Sequence, residues 1–153
     1  GTEALSTLRI EMGHVAGSEL DGRTIPYDAS LEGLVSKKKD FIGKRSLNRS
    51  AFTSTDREKL VGVVPIDKTT SIPEGSYIVK DPKAKLPNPK LGHVSASCWS
   101  VEYDNPFSLA IIKDGKNMIG QKLFAMSPLK NKTIPVEIVS SHYVDPEGKR
   151  VRS

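Results

Sequence analysis

One cysteine, Cys98, stands in a chain of 153 residues, so no intrachain disulfide can form and no cysteine-built zinc cluster is available. The expected setting is a reducing cytoplasm. Nothing near Cys98 would lower its pKa, and the expectation is a small apolar strand residue rather than a nucleophile. Aromatics are scarce, with one Trp, four Tyr and four Phe, and they do not interleave with basic residues as a single-strand stacking platform requires. No apolar run approaches the roughly 20 residues that cross a bilayer, and no charged-then-apolar leader opens the chain, so export is not expected. Gly-x-Gly-x-x-Gly and Walker patterns are absent, which places any flavin or nicotinamide binding outside these residues. His14, His93 and His142 fall on separate segments without a second ligand at i+2 or i+4. No metal site is expected.

Basic charge is present in modest excess. The net charge of +5 comes from Lys37-Lys38-Lys39, Lys44-Arg45, Lys83 with Lys85, Lys130 with Lys132, and the terminal Lys149-Arg150-Val151-Arg152. Such a surface attracts anions generally, whether nucleic acid, a flavoprotein partner or a ligand bearing carboxylates. The dispersed pattern favours a plain solvated surface over a nucleic-acid site. Composition is otherwise that of an ordinary globular protein, with 37% hydrophobic and 27% charged residues.

The pattern changes character near residue 55. Before it, Thr2 is placed to cap a helix whose Leu5, Leu8 and Met12 form one apolar stripe ending at Gly13. From Val15 to Ser30 the chain is turn-rich, with Asp21-Gly22 and Ile25-Pro26 marking reversals. A short strand is expected over Leu31–Ser36, a short helix over Ile42–Arg49 carrying Phe41, Ile42 and Leu47 inward, and a polar linker over Ser50–Arg57. After it come seven runs of strand chemistry: Leu60–Ile66, Ser76–Val79, Leu91–Ser100, Phe107–Lys113, Lys122–Met126, Thr133–Val139 and His142–Val144. Ile134, Val136 and Ile138 alternate with Thr133, Pro135 and Glu137 as a half-buried strand does. Turns at Pro73-Glu74-Gly75, Pro82–Pro89, Asp104-Asn105-Pro106 and Pro128 separate the runs, and Asp114-Gly115 reads as a hairpin. Trp99 is expected to pack beside its strand rather than to stack on a ligand. The fold class is α+β, mostly β. A helical and turn-rich segment over 1–55 precedes a small antiparallel barrel or sandwich over 56–153.

Several motifs in order carry a resemblance. Leu8-Arg9-Ile10-Glu11-Met12-Gly13-His14, Leu20-Asp21-Gly22-Arg23-Thr24, Lys39-Asp40-Phe41-Ile42-Gly43-Lys44, Gly92-His93-Val94-Ser95-Ala96-Ser97 and Tyr143-Val144-Asp145-Pro146-Glu147-Gly148 together resemble the tetrahydrofolate-dependent aminomethyltransferase family, the glycine-cleavage T-protein and its fused relatives. With Gly1-Thr2-Glu3-Ala4-Leu5, they are most similar to the branch fused into sarcosine oxidase alpha subunits. The resemblance implies a carboxyl-terminal barrel packed against the remnant, over 1–55, of a folate-binding domain. It implies tetrahydrofolate as ligand, with FAD, FMN and NAD bound elsewhere in the parent.

Partners implied are the remaining amino-terminal part of the same subunit and the other sarcosine oxidase subunits, with neither nucleic acid nor membrane. The parent reaction would be oxidative demethylation of sarcosine, with the one-carbon unit captured by folate and glycine and hydrogen peroxide released. The family's catalytic aspartate and pterin-gripping glutamate have no counterpart in this chain, and its ligand-contacting arginine aligns with Leu5. No catalytic residue is therefore assigned here, and the isolated chain is expected to be inactive.

Residues expected to face the folate are Arg9 and His14 at the helix end, and Tyr143 and Arg150 in the closing segment. A stand-alone aminomethyltransferase or dimethylglycine-dehydrogenase-like enzyme would share these motifs. A non-enzymatic basic binding module is the remaining alternative, and it requires nucleic-acid affinity that falls steeply with salt.

Overall fold

In the computed structural model, residues 1–85, 88–150 and 152 are described. Residues 86 and 87 of the Pro82–Pro89 turn, and Val151 of the terminal basic run, lie outside them. Helix α1 (Thr2–Glu11) opens the chain, and a loop-rich stretch with isolated 3-10 turns leads to the single-turn helix α2 (Ser50–Thr53). Strands β1 (Glu58–Pro65), β2 (Tyr77–Val79), β3 (Lys90–Ser100), β4 (Asn105–Lys113), β5 (Lys122–Ser127) and β6 (Lys132–Val139) follow. They close into a six-stranded antiparallel barrel in the order β1-β4-β3-β2-β5-β6, with β6 returning to β1. Closure gives each of the six strands a neighbouring strand on both sides. Among the described residues no helix is long and apolar enough to cross a membrane.

Two apolar clusters result, one inside the barrel and one on its outer face. Alternation sends Val61, Val63, Ala110, Ile112, Val136 and Ile138 inward, where they meet Ile78, Val94 and Ala125. On the outside, Leu60, Phe107 and Leu109 pack with Ile10 of α1, Ala96 of β3 and the partly buried Val15, Cys98 and Tyr143. Strict alternation would put Val94 and Ala96 on one face. A bulge at Ser95 separates them, because Val94 pairs with Ala110 and Ala96 with Leu109. The bulge flips the phase of β3, so its first half fills the barrel and its second half is covered by α1. Cys98 lies in that second half, where burial, aided by the nearby Glu11 charge, pushes its thiol up to about 12. An inert packing residue is the result.

Several local expectations give way to tertiary contacts. Thr2 does not cap α1; Gly1 occupies the cap position and no side-chain cap forms. Leu5 and Leu8 stay exposed at 66% and 58%, while Ile10 and Glu11 take the buried face, because β3 and β4 lie on that side of the helix. In place of a strand over Leu31–Ser36 there is a 3-10 turn at Glu32–Leu34 with no ladder to join. The stretch 42–49 forms turns with a 3-10 segment at Ser46–Asn48, and Phe41 and Ile42 point outward. The linker stretch contains the short α2.

His142–Val144 forms no strand, since the amides of Tyr143 and Val144 instead donate to the Glu11 carbonyl at 3.2 and 3.1 Å. Asp114-Gly115 is no hairpin, as β4 and β5 are not neighbours in the barrel. Asp114 takes φ 51° and starts a 3-10 turn from which the chain crosses to β5. Trp99 is only half-buried and donates its indole N–H to Asp104 at 3.1 Å.

Gly92 shows how tightly β3 and β4 approach. A Cβ there would sit 1.9 Å from the Ile111 carbonyl oxygen, a backbone atom that cannot swing aside. Gly92→Ala is expected to lower stability by about 2–3 kcal/mol. Equilibrium urea unfolding checks this, and an unchanged midpoint would contradict the packing described.

Candidate functional site

The segment after α1 lies along the outer faces of β1, β3 and β4 and leaves a cleft of about 380 Å³. Val15, Ala29, Leu60 and Ile111 give it an apolar floor, and Glu58, His93 and Lys113 stand on its barrel side. Asp28 fastens the segment to the barrel. Its carboxylate accepts from Arg57 Nε at 3.0 Å, from Arg57 Nη2, from Lys59 Nζ at 3.0 Å and from the Ile25 amide at 3.1 Å. Its own carbonyl accepts from the Leu60 amide at 2.7 Å, so side chain and backbone act together. Burial opposes ionisation of Asp28, but these donors outweigh it and hold the carboxyl below its usual range.

The far lip of the cleft is an Asx turn. Asp21 accepts from the Arg23 amide at 2.8 Å and from the Thr24 amide at 3.1 Å, and its other oxygen takes a forked contact from the Arg23 guanidinium at 2.9 and 2.6 Å. Those hydrogen bonds, led by the guanidinium, bring the Asp21 carboxyl down to about 2. By contrast, Glu58, His93 and Lys113 make no side-chain hydrogen bond or ion pair among the described residues. The Glu58 charge nevertheless acts on the nearby Arg23 and Arg57.

The C-terminal end of α1, where Arg9 and His14 stand, is a second focus. Arg9 reaches the His14 carbonyl at 3.3 Å and pairs with Glu19 at 3.3 Å; Glu19, almost wholly buried, also accepts the Ala16 amide at 2.9 Å and lines the cleft. The His14 imidazole is exposed and has no hydrogen-bond partner among the described residues. Gly13 turns the chain with φ +68°, and a Cβ there would lie 2.5 Å from the Ser141 carbonyl, so the closing segment presses directly on the helix end.

Glu11 locks this corner. Its carboxylate accepts from Ser100 Oγ at 2.6 Å and from the Val101 amide at 3.0 Å. Tyr143 stacks on Phe107 with ring centroids 4.3 Å apart, and its hydroxyl meets the Asn105 side chain at 3.1 Å. Arg150 donates from Nη2 to Glu102 at 2.6 Å, while its amide is held by Asp145 at 3.0 Å. Arg9 meets the His14 carbonyl and Glu19, Tyr143 packs on Phe107 and Arg150 lies on Glu102, so three of the four expected residues have intramolecular partners.

The family model of the glycine cleavage T-protein C-terminal barrel domain matches residues 58–145, more than half of the chain. The chain belongs to this family. Among curated relatives, the sarcosine oxidase alpha subunit of Rhizobium meliloti is 37% identical over 99% of the chain, and that of Corynebacterium sp. (strain P-1) is 37% identical over 98%. The chain spans only 15% and 16% of those two proteins. An aminomethyltransferase of Synechococcus sp. (strain CC9902) is 30% identical over 91% of the chain, which covers 36% of that protein. The solved glycine cleavage system aminomethyltransferase T of Bartonella henselae superposes with a TM-score of 0.73 over 94% of this chain and 38% of its own, at 22% identity, and so shares the fold.

Within this T-protein-type barrel, the cleft groups were the ones not singled out from the sequence as ligand residues. Glu58, His93 and Lys113 come from three strands, and only the barrel's register brings Glu58 opposite Lys113. The alternation of the strands, which sends Leu60 and Ile111 outward, was the available signal.

Glu11→Ala would leave Ser100 Oγ and the Val101 amide without their acceptor, and a loss of about 2–4 kcal/mol is expected. Thermal unfolding with and without Ser100→Ala checks it; if the two losses simply add, the carboxylate is not the link. Asp28 adds a pH signature. Because its folded pKa is depressed, its contribution is present above the unfolded value near pH 4 and disappears as pH falls toward the folded one. Asp28→Asn should therefore lower stability at neutral pH and flatten the acid limb of the stability curve. An acid limb identical to that of the parent would refute the assignment.

Proposed function

We propose that this chain is the carboxyl-terminal part of a sarcosine oxidase alpha subunit, and that it supplies one wall of a chamber in which a one-carbon unit passes to tetrahydrofolate. The observation that carries the reading is the 37% identity to sarcosine oxidase alpha subunits across nearly all of this chain. The aminomethyltransferase relatives support transfer of a one-carbon amine fragment as the chemistry served. On this reading residues 1–55 belong to the folate-binding part, and residues 56–153 are the barrel that braces it. The exposed Leu5 and Leu8 are then surface for the rest of the subunit.

Tetrahydrofolate, when bound, supplies the nitrogen that accepts the one-carbon unit. The contribution of this chain is positional. Glu11 and Gly13 fix the helix end against the closing segment, which sets where the His14 imidazole stands. That imidazole, unengaged among the described residues, is able to hold or pass a proton at a nitrogen. Arg9 and Arg150, each steadied by a carboxylate, are assigned as the cations that meet carboxylates of a ligand tail. Flavin and nicotinamide groups have no phosphate cradle among these residues and are assigned to the rest of the parent, in a cytoplasmic complex.

The full-length parent should oxidise sarcosine with release of peroxide, and the 153-residue chain alone should show neither a flavin spectrum nor peroxide. In the parent, His14→Ala with Arg150→Ala should cut the fraction of one-carbon units captured by tetrahydrofolate by about tenfold, with peroxide formation unchanged. Parallel assays with dimethylglycine and an aminomethylated carrier protein discriminate the related chemistries. Preference for the carrier protein, or capture that is indifferent to both substitutions, would overturn the reading.

A further inference from the structure

Away from the cleft, the loop-rich stretch between α1 and β1 folds around a concave surface of about 960 Å³. Lys37, Lys38 and Lys39 stand on its rim, and Val35, Phe41 and Leu47 form its apolar side. The basic turn is held in shape: the Ser36 hydroxyl accepts the Lys39 amide at 2.9 Å, and Lys44 Nζ donates to the Lys39 carbonyl at 2.8 Å.

Nearby acids are already taken. Asp40 is paired with Lys44 at 3.6 Å, and Glu32 contacts Lys116. None of Lys37, Lys38 and Lys39 has an ion-pair partner among the described residues. Three unneutralised ammonium groups therefore stand on one fixed turn beside apolar side chains that include the exposed Phe41.

We propose that this bowl docks an acidic polypeptide segment of a partner chain, a short run of carboxylates carrying one aliphatic or aromatic side chain. The charge pattern selects that occupant. Carboxylates on successive residues match ammonium groups on successive residues, and the apolar floor buries an anchor that a small inorganic anion lacks. A nucleic-acid strand requires a basic track interleaved with stacking rings. Here the basic residues converge on one turn, and the other lysine pairs lie on barrel loops, around Lys83 and around Lys130. The site involves neither the cleft nor the end of α1, so it stands or falls separately from the folate reading.

The test is a ¹⁵N chemical-shift titration of the 153-residue chain with an N-acetylated peptide of successive Glu residues followed by one Leu, beside oligothymidylate and inorganic phosphate. The peptide should move the amides of residues 35–48, and its affinity should fall with added salt. Lys37→Glu with Lys38→Glu and Lys39→Glu should weaken binding by about tenfold or more, and Phe41→Ala should weaken it while leaving the salt dependence unchanged. Lys130→Glu with Lys132→Glu should change nothing. All these positions are exposed, and an unaltered amide spectrum of each free variant verifies its fold. The proposal is overturned if the peptide leaves residues 35–48 unmoved, if the Lys130 and Lys132 variant weakens it equally, or if oligothymidylate or phosphate binds the same residues more tightly.

Discussion

A single acidic residue at the end of the first helix ties three parts of the molecule together. The Glu11 carboxylate receives the β3–β4 hairpin through Ser100 and Val101, and its carbonyl receives the closing segment through Tyr143 and Val144. A carboxylate near a helix C-terminus opposes the helix dipole. It is sustained there because two donors converge on it, and an unfilled pair of donors would cost more than the unfavourable field. The outer apolar cluster of Ile10, Phe107 and Leu109 then fills the space beneath, with Tyr143 stacked on Phe107. Polar fixation sets the geometry, and apolar burial supplies the bulk of the energy.

The barrel was legible because its signal is local. Short β-branched runs such as Leu60 to Ile66 and Thr133 to Val139, punctuated by proline and glycine, carry the period of two that strands require. Two things were not legible. The order of strands is set by which edges can close, and so the Asp114-Gly115 pair, a hairpin by its chemistry, begins a crossing instead. The phase of β3 changes at Ser95, and no residue there announces a bulge, since serine serves equally in either conformation. Before β1 the reading was weaker for a physical reason. Segments such as Leu31 to Ser36 have strand chemistry but no neighbouring strand to pair with, and local propensity without a partner does not make a ladder.

The site followed the same division. Arg9, His14, Tyr143 and Arg150 were grouped by motif resemblance; the fold ties the Tyr143 backbone to the helix end through the Glu11 carbonyl, while the Arg150 side chain pairs with Glu102. Their individual engagements were beyond the sequence. Glu19 and Glu102, which pair with the two arginines, reach them through the 3-10 turn and the hairpin, neither of which is written in the local sequence. The cleft groups Glu58, His93 and Lys113 were hidden for the same reason, since they converge only once three strands are in register.

The pairing of β1 with β6 has a mechanical consequence. Gly62 lies opposite Val139 and Pro65 opposite Val136, so the chain enters and leaves the barrel at the same rim. Tension applied through the flanking polypeptide would peel these two strands apart one bond at a time, the weakest direction in which an antiparallel pair can be loaded. The Asp28 cluster ahead of β1 and the Glu11 contacts after β6 stand upstream of that seam on either side. They act as strain reliefs, taking up such a pull before it reaches the barrel wall.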